Sequence, residues 1–209
     1  MSIVITVAQQ KGGSGKTTLA ANLAAALAPG KRVAMLDIDP QHSLTRWHAI
    51  RLARPEAAAA LTFSDVSGWR LAGELDRLRQ THDVVLVDSP PQIDTDARRA
   101  IRAADLVVVP LQPSLPDIWA AEGTLKLAAE EKRRACLVLN RVPGSSKLRD
   151  ATARELRQRK LAVLPATLGN RAAFSQAFAE GLGITEFAPR TAAAAEFRTL
   201  LDAIMRLVA

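Results

Sequence analysis

The chain has 209 residues, 48% of them hydrophobic and 23% charged, and a net charge of +7. That size and apolar content suit one α/β domain over 1–209, with no long linker or repeat to mark a second. A single cysteine, Cys136, excludes an internal disulfide framework and fits a reducing cytoplasm, no apolar run reaches membrane-spanning length, and too few residues precede the first apolar run for a secretory signal.

Short β-branched runs alternate with helical periodicity along the whole chain. The pattern predicts strands over 3–8, 32–38, 60–64, 83–88, 105–110, 135–140 and 161–165. Helices are predicted over 16–28, 43–52, 70–80, 94–103, 115–132, 146–159, 171–180 and 191–207. This alternation gives an α/β fold, a mostly parallel twisted sheet with helices on both faces, and puts ligand-handling residues at the carboxyl ends of the strands.

The first strand runs into a glycine-rich turn and a helix, reading IVITVAQQKGGSGKTT over 3–18. Gly12, Gly13 and Gly15 leave room for backbone N–H groups, including that of Ser14, to turn onto phosphate oxygens. Lys16 would neutralise the β- and γ-phosphates of a bound ATP, the Thr17 hydroxyl would ligate Mg²⁺, and Thr18 follows at the helix start. The common loop pattern asks for glycine at position 10, where this chain has Gln10, with Lys11 next to it.

The run from Lys11 to Thr18 resembles the deviant Walker A motif of the ParA/MinD family of P-loop ATPases, in its small ParA-type, ParF-like members. The resemblance implies that Lys11 reaches the nucleotide of a partner subunit, so that ATP closes a homodimer, and makes Lys11, Lys16 and Asp39 the catalytic set. Residues 33–41 read VAMLDIDPQ, like the family's DxDPQ motif. By that match Asp39 lies near the γ-phosphate, positioning the attacking water and the Mg²⁺ shell, with Asp37 supporting that shell or the loop. Residues 83–91 read DVVLVDSPP, as a Walker B strand does, and Asp88 would hold Mg²⁺ beside Thr17. Residues 137–142 read LVLNRV. There Asn140 resembles the family's base-contacting asparagine, Arg141 would lie near the adenine, and Pro165 and Thr167 would complete the base pocket.

From Arg141 to Lys160, seven basic residues stand against Asp150 and Glu155. Non-specific DNA is the first partner this implies and an anionic membrane the second. The DNA-contacting candidates are Lys147, Arg149 and Arg157 in the 146–159 helix, with Arg171, which matches a position that is basic in DNA-binding relatives. The last helix carries Phe197, Leu200, Leu201, Ile204 and Leu207 at helical spacing, but Arg198 and Arg206 are offset by Glu196 and Asp202. A docked helix is expected there rather than the amphipathic membrane helix of MinD-type relatives.

The resemblance as a whole implies an ATPase of the cytoplasm, associated with the nucleoid and stimulated by a ParB-like or other adaptor protein. Its cargo would be a plasmid or chromosome locus, or else a protein assembly such as chemoreceptor clusters. A membrane-cycling, MinD-like regulator is the reading from another class. An iron-sulfur relative would need clustered cysteines.

Overall fold

The computed structural model describes residues 2–58, 61–92, 94–144 and 146–209. Among them six strands, β1 (Ile3–Val7), β2 (Val33–Asp37), β3 (Leu61–Asp65), β4 (Val84–Asp88), β5 (Leu106–Leu111) and β6 (Arg134–Leu139), form one parallel sheet. Its order is β3-β2-β4-β1-β5-β6. The first half of the chain winds outward to one edge and the second half to the other, so the switch point falls at β1 and β4, where open α/β sheets take their ligands. Register sharpens this: Asp88 lies opposite both Val7 and Asp37. Three strands therefore end at one level, two of them in carboxylates.

The sheet interior is apolar on both faces, as covered parallel strands require. On one face α1 (Lys16–Leu27), α2 (Ser43–Arg51), α8 (Ala172–Ala179), α9 (Ile184–Phe187) and α10 (Ala192–Arg206) pack over Ile5, Met35, Leu86 and Val138. The other face is covered by α4 (Leu71–Arg79), α5 (Thr95–Ala103), α6 (Leu115–Glu130) and α7 (Ser146–Gln158), over Val4, Val85, Val107 and Leu139. A short α3 (Pro55–Ala58) precedes β3. Helix α10 buries Phe197, Leu200 and Ile204 completely against the first face, so the docked helix is what forms. Cys136 is buried in β6, and burial pushes its thiol up to about 12, which leaves it unreactive.

Two strand expectations change. The predicted 60–64 strand begins at a residue outside the described ones and is seen as Leu61–Asp65. The predicted strand 161–165 supplies only an isolated parallel bridge, Leu137 to Val163. Leu164 N–H donates to Leu137 O at 2.9 Å, but the next donation to β6 comes only from Leu168 N–H, to Leu139 O at 2.9 Å, so the ladder is interrupted between them. The short helices α3 and α9, which no periodicity marked, make up the rest of the difference.

Candidate nucleotide-binding site

Residues 8–15 link β1 to α1, and the loop they form is held in place from outside. Gly13 and Gly15 take left-handed backbone angles, φ +77° and +93°, which L side chains rarely adopt. Gln9, almost fully buried, donates from Nε2 to Pro110 O at 3.2 Å and accepts the Gln10 N–H at 2.8 Å. Gln10, standing where the common pattern has glycine, packs on α6 at Gly123, where a Cβ would come within 2.2 Å of its amide nitrogen. Further along, Gln112 Nε2 donates to Gly13 O at 2.7 Å and Asn140 Nδ2 to Ser14 O at 2.9 Å. The first turn of α1 opens directly on the loop, so its free N–H groups and dipole add to the pull on an anion.

Behind the loop lies a charge cluster. Lys16 is only 6% exposed. Burial pulls its ammonium below the ordinary range, while Asp88 and Asp39 pull it back up. Asp88 is fully buried, and neither carboxylate oxygen has a hydrogen-bond partner among the described residues. Burial pushes its carboxyl up to about 8, against the Thr17 hydroxyl and the Lys16 ammonium. A buried, unsatisfied carboxylate beside a threonine hydroxyl and facing a phosphate loop fits a divalent cation of the Mg²⁺ type, which takes few protein ligands and keeps its waters. Asp39 lines a cavity over the phosphate loop together with Lys16 and Thr17, and accepts the Gln41 N–H at 2.9 Å. Asp37 supports the loop: its oxygens take the Asp39 N–H at 3.1 Å and the Thr45 N–H and hydroxyl at 2.8 and 2.7 Å.

Two connected cavities share Thr18 and Arg141. One, about 280 Å³, lies over Gly12, Gly13, Gly15, Lys16 and Thr17. The other, about 240 Å³, is walled by Asn22, Asn140, Leu168, Gly169, Asn170 and Phe174, among others. The pair suits a triphosphate and a base joined through a ribose. Pro165 and Thr167, expected at the base, do not line this cavity. Leu168 to Asn170 do, because the bridge from Val142 to Gly169 carries the chain past the end of β6 there.

Two expected cations are already engaged. Lys11 pairs through Nζ with Asp117 Oδ2 of its own chain, a carboxylate 1% exposed that also accepts the Ser114 hydroxyl at 2.5 Å. Arg171 forms a two-pronged pair with Glu196, at 3.1 and 2.5 Å, on the wall of the second cavity. Its charge is therefore partly balanced where it stands. On α7, Lys147, Arg149 and Arg157 are exposed as expected, with Arg154, and Lys160 is exposed just past the helix end. Arg149 lies 3.7 Å from Asp150, and Arg159 is taken up by Glu122 and Glu155.

Residues 5–184 match the CobQ/CobB/MinD/ParA nucleotide-binding domain. Maintenance of carboxysome distribution protein A of Gloeobacter kilaueensis is 33% identical over 210 residues, covering 97% of this chain and 94% of that protein. Its namesake in Halothiobacillus neapolitanus is 29% identical over 205 residues, covering 93% and 92%. In fold, the chain superposes on apo McdA of Cyanothece with a TM-score of 0.82 over 100% of both chains at 19% identity. An ATP complex of an aspartate-to-alanine variant of Cyanothece McdA gives 0.79 over 98% and 96%, at 20% identity.

Proposed function

Because the chain belongs to the CobQ/CobB/MinD/ParA family of nucleotide-binding domains, we propose that it is a ParA-type ATPase that positions an intracellular cargo. The observation that carries this reading is Asp88, buried, unsatisfied and set beside Lys16 and Thr17 at the end of the phosphate loop. Loop N–H groups and Lys16 hold the β- and γ-phosphates. Thr17 and Asp88 hold Mg²⁺, which on binding spreads the charge that develops on the phosphate oxygens. Asp39 orients the attacking water. Phosphoryl transfer asks mainly for positioning, so a carboxylate whose backbone N–H is held by Asp37 and whose Oδ1 accepts the Gln41 N–H is sufficient.

Lys11 extends the reading to two chains. It is 41% exposed at the rim of the loop, near enough to the surface to exchange Asp117 for the triphosphate of a second copy. ATP then closes a homodimer, and an adaptor protein stimulates hydrolysis and opens it. Replacing Asp39 with alanine is expected to leave ATP affinity within about threefold while turnover falls at least about tenfold, so that the dimer accumulates with ATP. Single-turnover phosphate release and light scattering measure both. Unchanged turnover would remove Asp39 from the mechanism.

Non-specific DNA is the proposed track, through α7. Lys147, Arg149, Arg154 and Arg157 are exposed along it, and long flexible cations of this kind suit phosphate contacts, which carry no sequence preference. Each phosphate contact contributes about −0.9 to the slope of log affinity against log salt. Reversing Lys147 and Arg157 together to glutamate should flatten that slope by roughly 2 per chain in DNA co-sedimentation with ATP. A slope equal to the wild type's would move the track off α7.

On cargo, two relatives that match more than nine-tenths of this chain are carboxysome-distribution proteins, whereas Soj of Thermus thermophilus matches 60% of it. That favours a protein assembly as cargo, with a plasmid or chromosome locus second. Among the described residues no helix is long and apolar enough to cross a membrane, and α10 packs its apolar side on the sheet, which favours cargo positioning over the membrane-cycling alternative.

A further inference from the structure

Asn140 stands between the two cavities at the end of β6, 9% exposed. Family resemblance makes it a reader of the base. Its hydrogen bonds point elsewhere. Its Nδ2 donates to Ser14 O at 2.9 Å, and its Oδ1 accepts the Arg141 N–H at 2.9 Å. A flipped amide would set nitrogen against N–H and oxygen against a carbonyl, so both partners agree on one orientation. A Cβ on Gly15 would come within 2.4 Å of that same nitrogen, so the glycine is what lets the amide reach the loop.

The neighbouring loop carbonyl is held in the same way. Gly13 O accepts Gln112 Nε2 at 2.7 Å, with Arg141 Nη1 at 3.5 Å. In a planar trans peptide the carbonyl and the following N–H point to opposite sides of the chain. Drawing Gly13 O and Ser14 O outward therefore turns the N–H groups of Ser14 and Gly15 the other way, toward the cavity that Gly13, Gly15 and Lys16 line.

We propose that Asn140 is a positioning residue for the phosphates: it clamps Ser14 O so that the loop N–H groups are aimed before any ligand arrives, with Gln112 as its counterpart at Gly13 O. This rests on the nucleotide reading above. It separates from base recognition because a clamp serves a triphosphate with no base attached.

The test measures ATP and inorganic tripolyphosphate binding, each with Mg²⁺, by calorimetry on the full chain. Asn140→Asp keeps the shape and removes the donor. It should weaken both ligands by the same factor, about tenfold, leaving their affinity ratio unchanged. Gln112→Ala lies outside the base cavity and should reproduce the loss on tripolyphosphate. It also keeps the idea testable should Asn140→Asp fold poorly. Weakened ATP with tripolyphosphate at wild-type affinity would return Asn140 to the base and overturn the clamp, as would two unaffected ligands. A wild-type chain that binds neither ligand would instead overturn the nucleotide reading itself.

Discussion

Lys16→Ala is expected to abolish ATP binding, with a loss of more than about a hundredfold in affinity, since charged hydrogen bonds to phosphate contribute roughly 1.5–3 kcal/mol each. The side chain sits almost out of solvent, where little water competes for its charge. It also balances two carboxylates, Asp88 and Asp39, that would otherwise repel the triphosphate. The loss is therefore double: an attraction disappears and a repulsion is uncovered. Calorimetric titration with ATP and Mg²⁺ checks it, and an affinity near the wild type's would refute the phosphate-loop assignment. Circular dichroism of the variant should match the wild type, so that the loss belongs to the site and not to the fold.

The largest expected effect on stability lies away from the site. Arg51 is fully buried at the end of α2. Its guanidinium makes two bonds to Glu186, at 2.8 and 2.6 Å, and donates to Gly181 O and Ala57 O, both at 3.0 Å. It also lies over the Trp47 ring, 5.2 Å from its centre. One side chain thus ties α2 and α3 to the turn between α8 and α9. Arg51→Ala leaves Glu186 without its cation and should cost about 3–5 kcal/mol, as broken buried pairs do. Urea unfolding followed by circular dichroism measures this, and a loss below about 1 kcal/mol would show the clamp to be idle. Gly181 belongs to the same joint: its φ is +69°, and a Cβ there would fall 2.5 Å from the Arg51 backbone nitrogen.

The phosphate loop and the two acidic strand ends were legible because their signals are local. A β-branched run, then glycines, then Lys16 and a helical pattern occupies sixteen consecutive residues, 3–18. What escaped were pairings between distant positions. Nothing in the run around Lys11 announces Asp117, 106 residues further on, and nothing near Arg51 announces Glu186, 135 residues away. Arg171 looked free for the same reason, since its partner Glu196 lies on another helix. Pro165 resembles a strand end, but the residues that reach the second cavity come a few positions later, at Leu168 to Asn170, where the chain bridges Val142 at Gly169. Asn140 was legible as a residue at a strand end, but its bonding to Ser14 depends on how two loops approach in space, which periodicity does not encode.

The pairing of Lys11 with Asp117 has a bearing on reversibility. Asp117 is 1% exposed, so on the two-chain reading drawing Lys11 away strands an anion in a poorly hydrated niche where, among the described residues, the Ser114 hydroxyl and the Gln112 N–H remain as partners of its side chain. The vacated niche then pulls the lysine home as soon as its other partner departs. Such a device behaves as a spring rather than a toggle: it keeps no memory of the previous cycle, and every chain that lets go is reset without outside help.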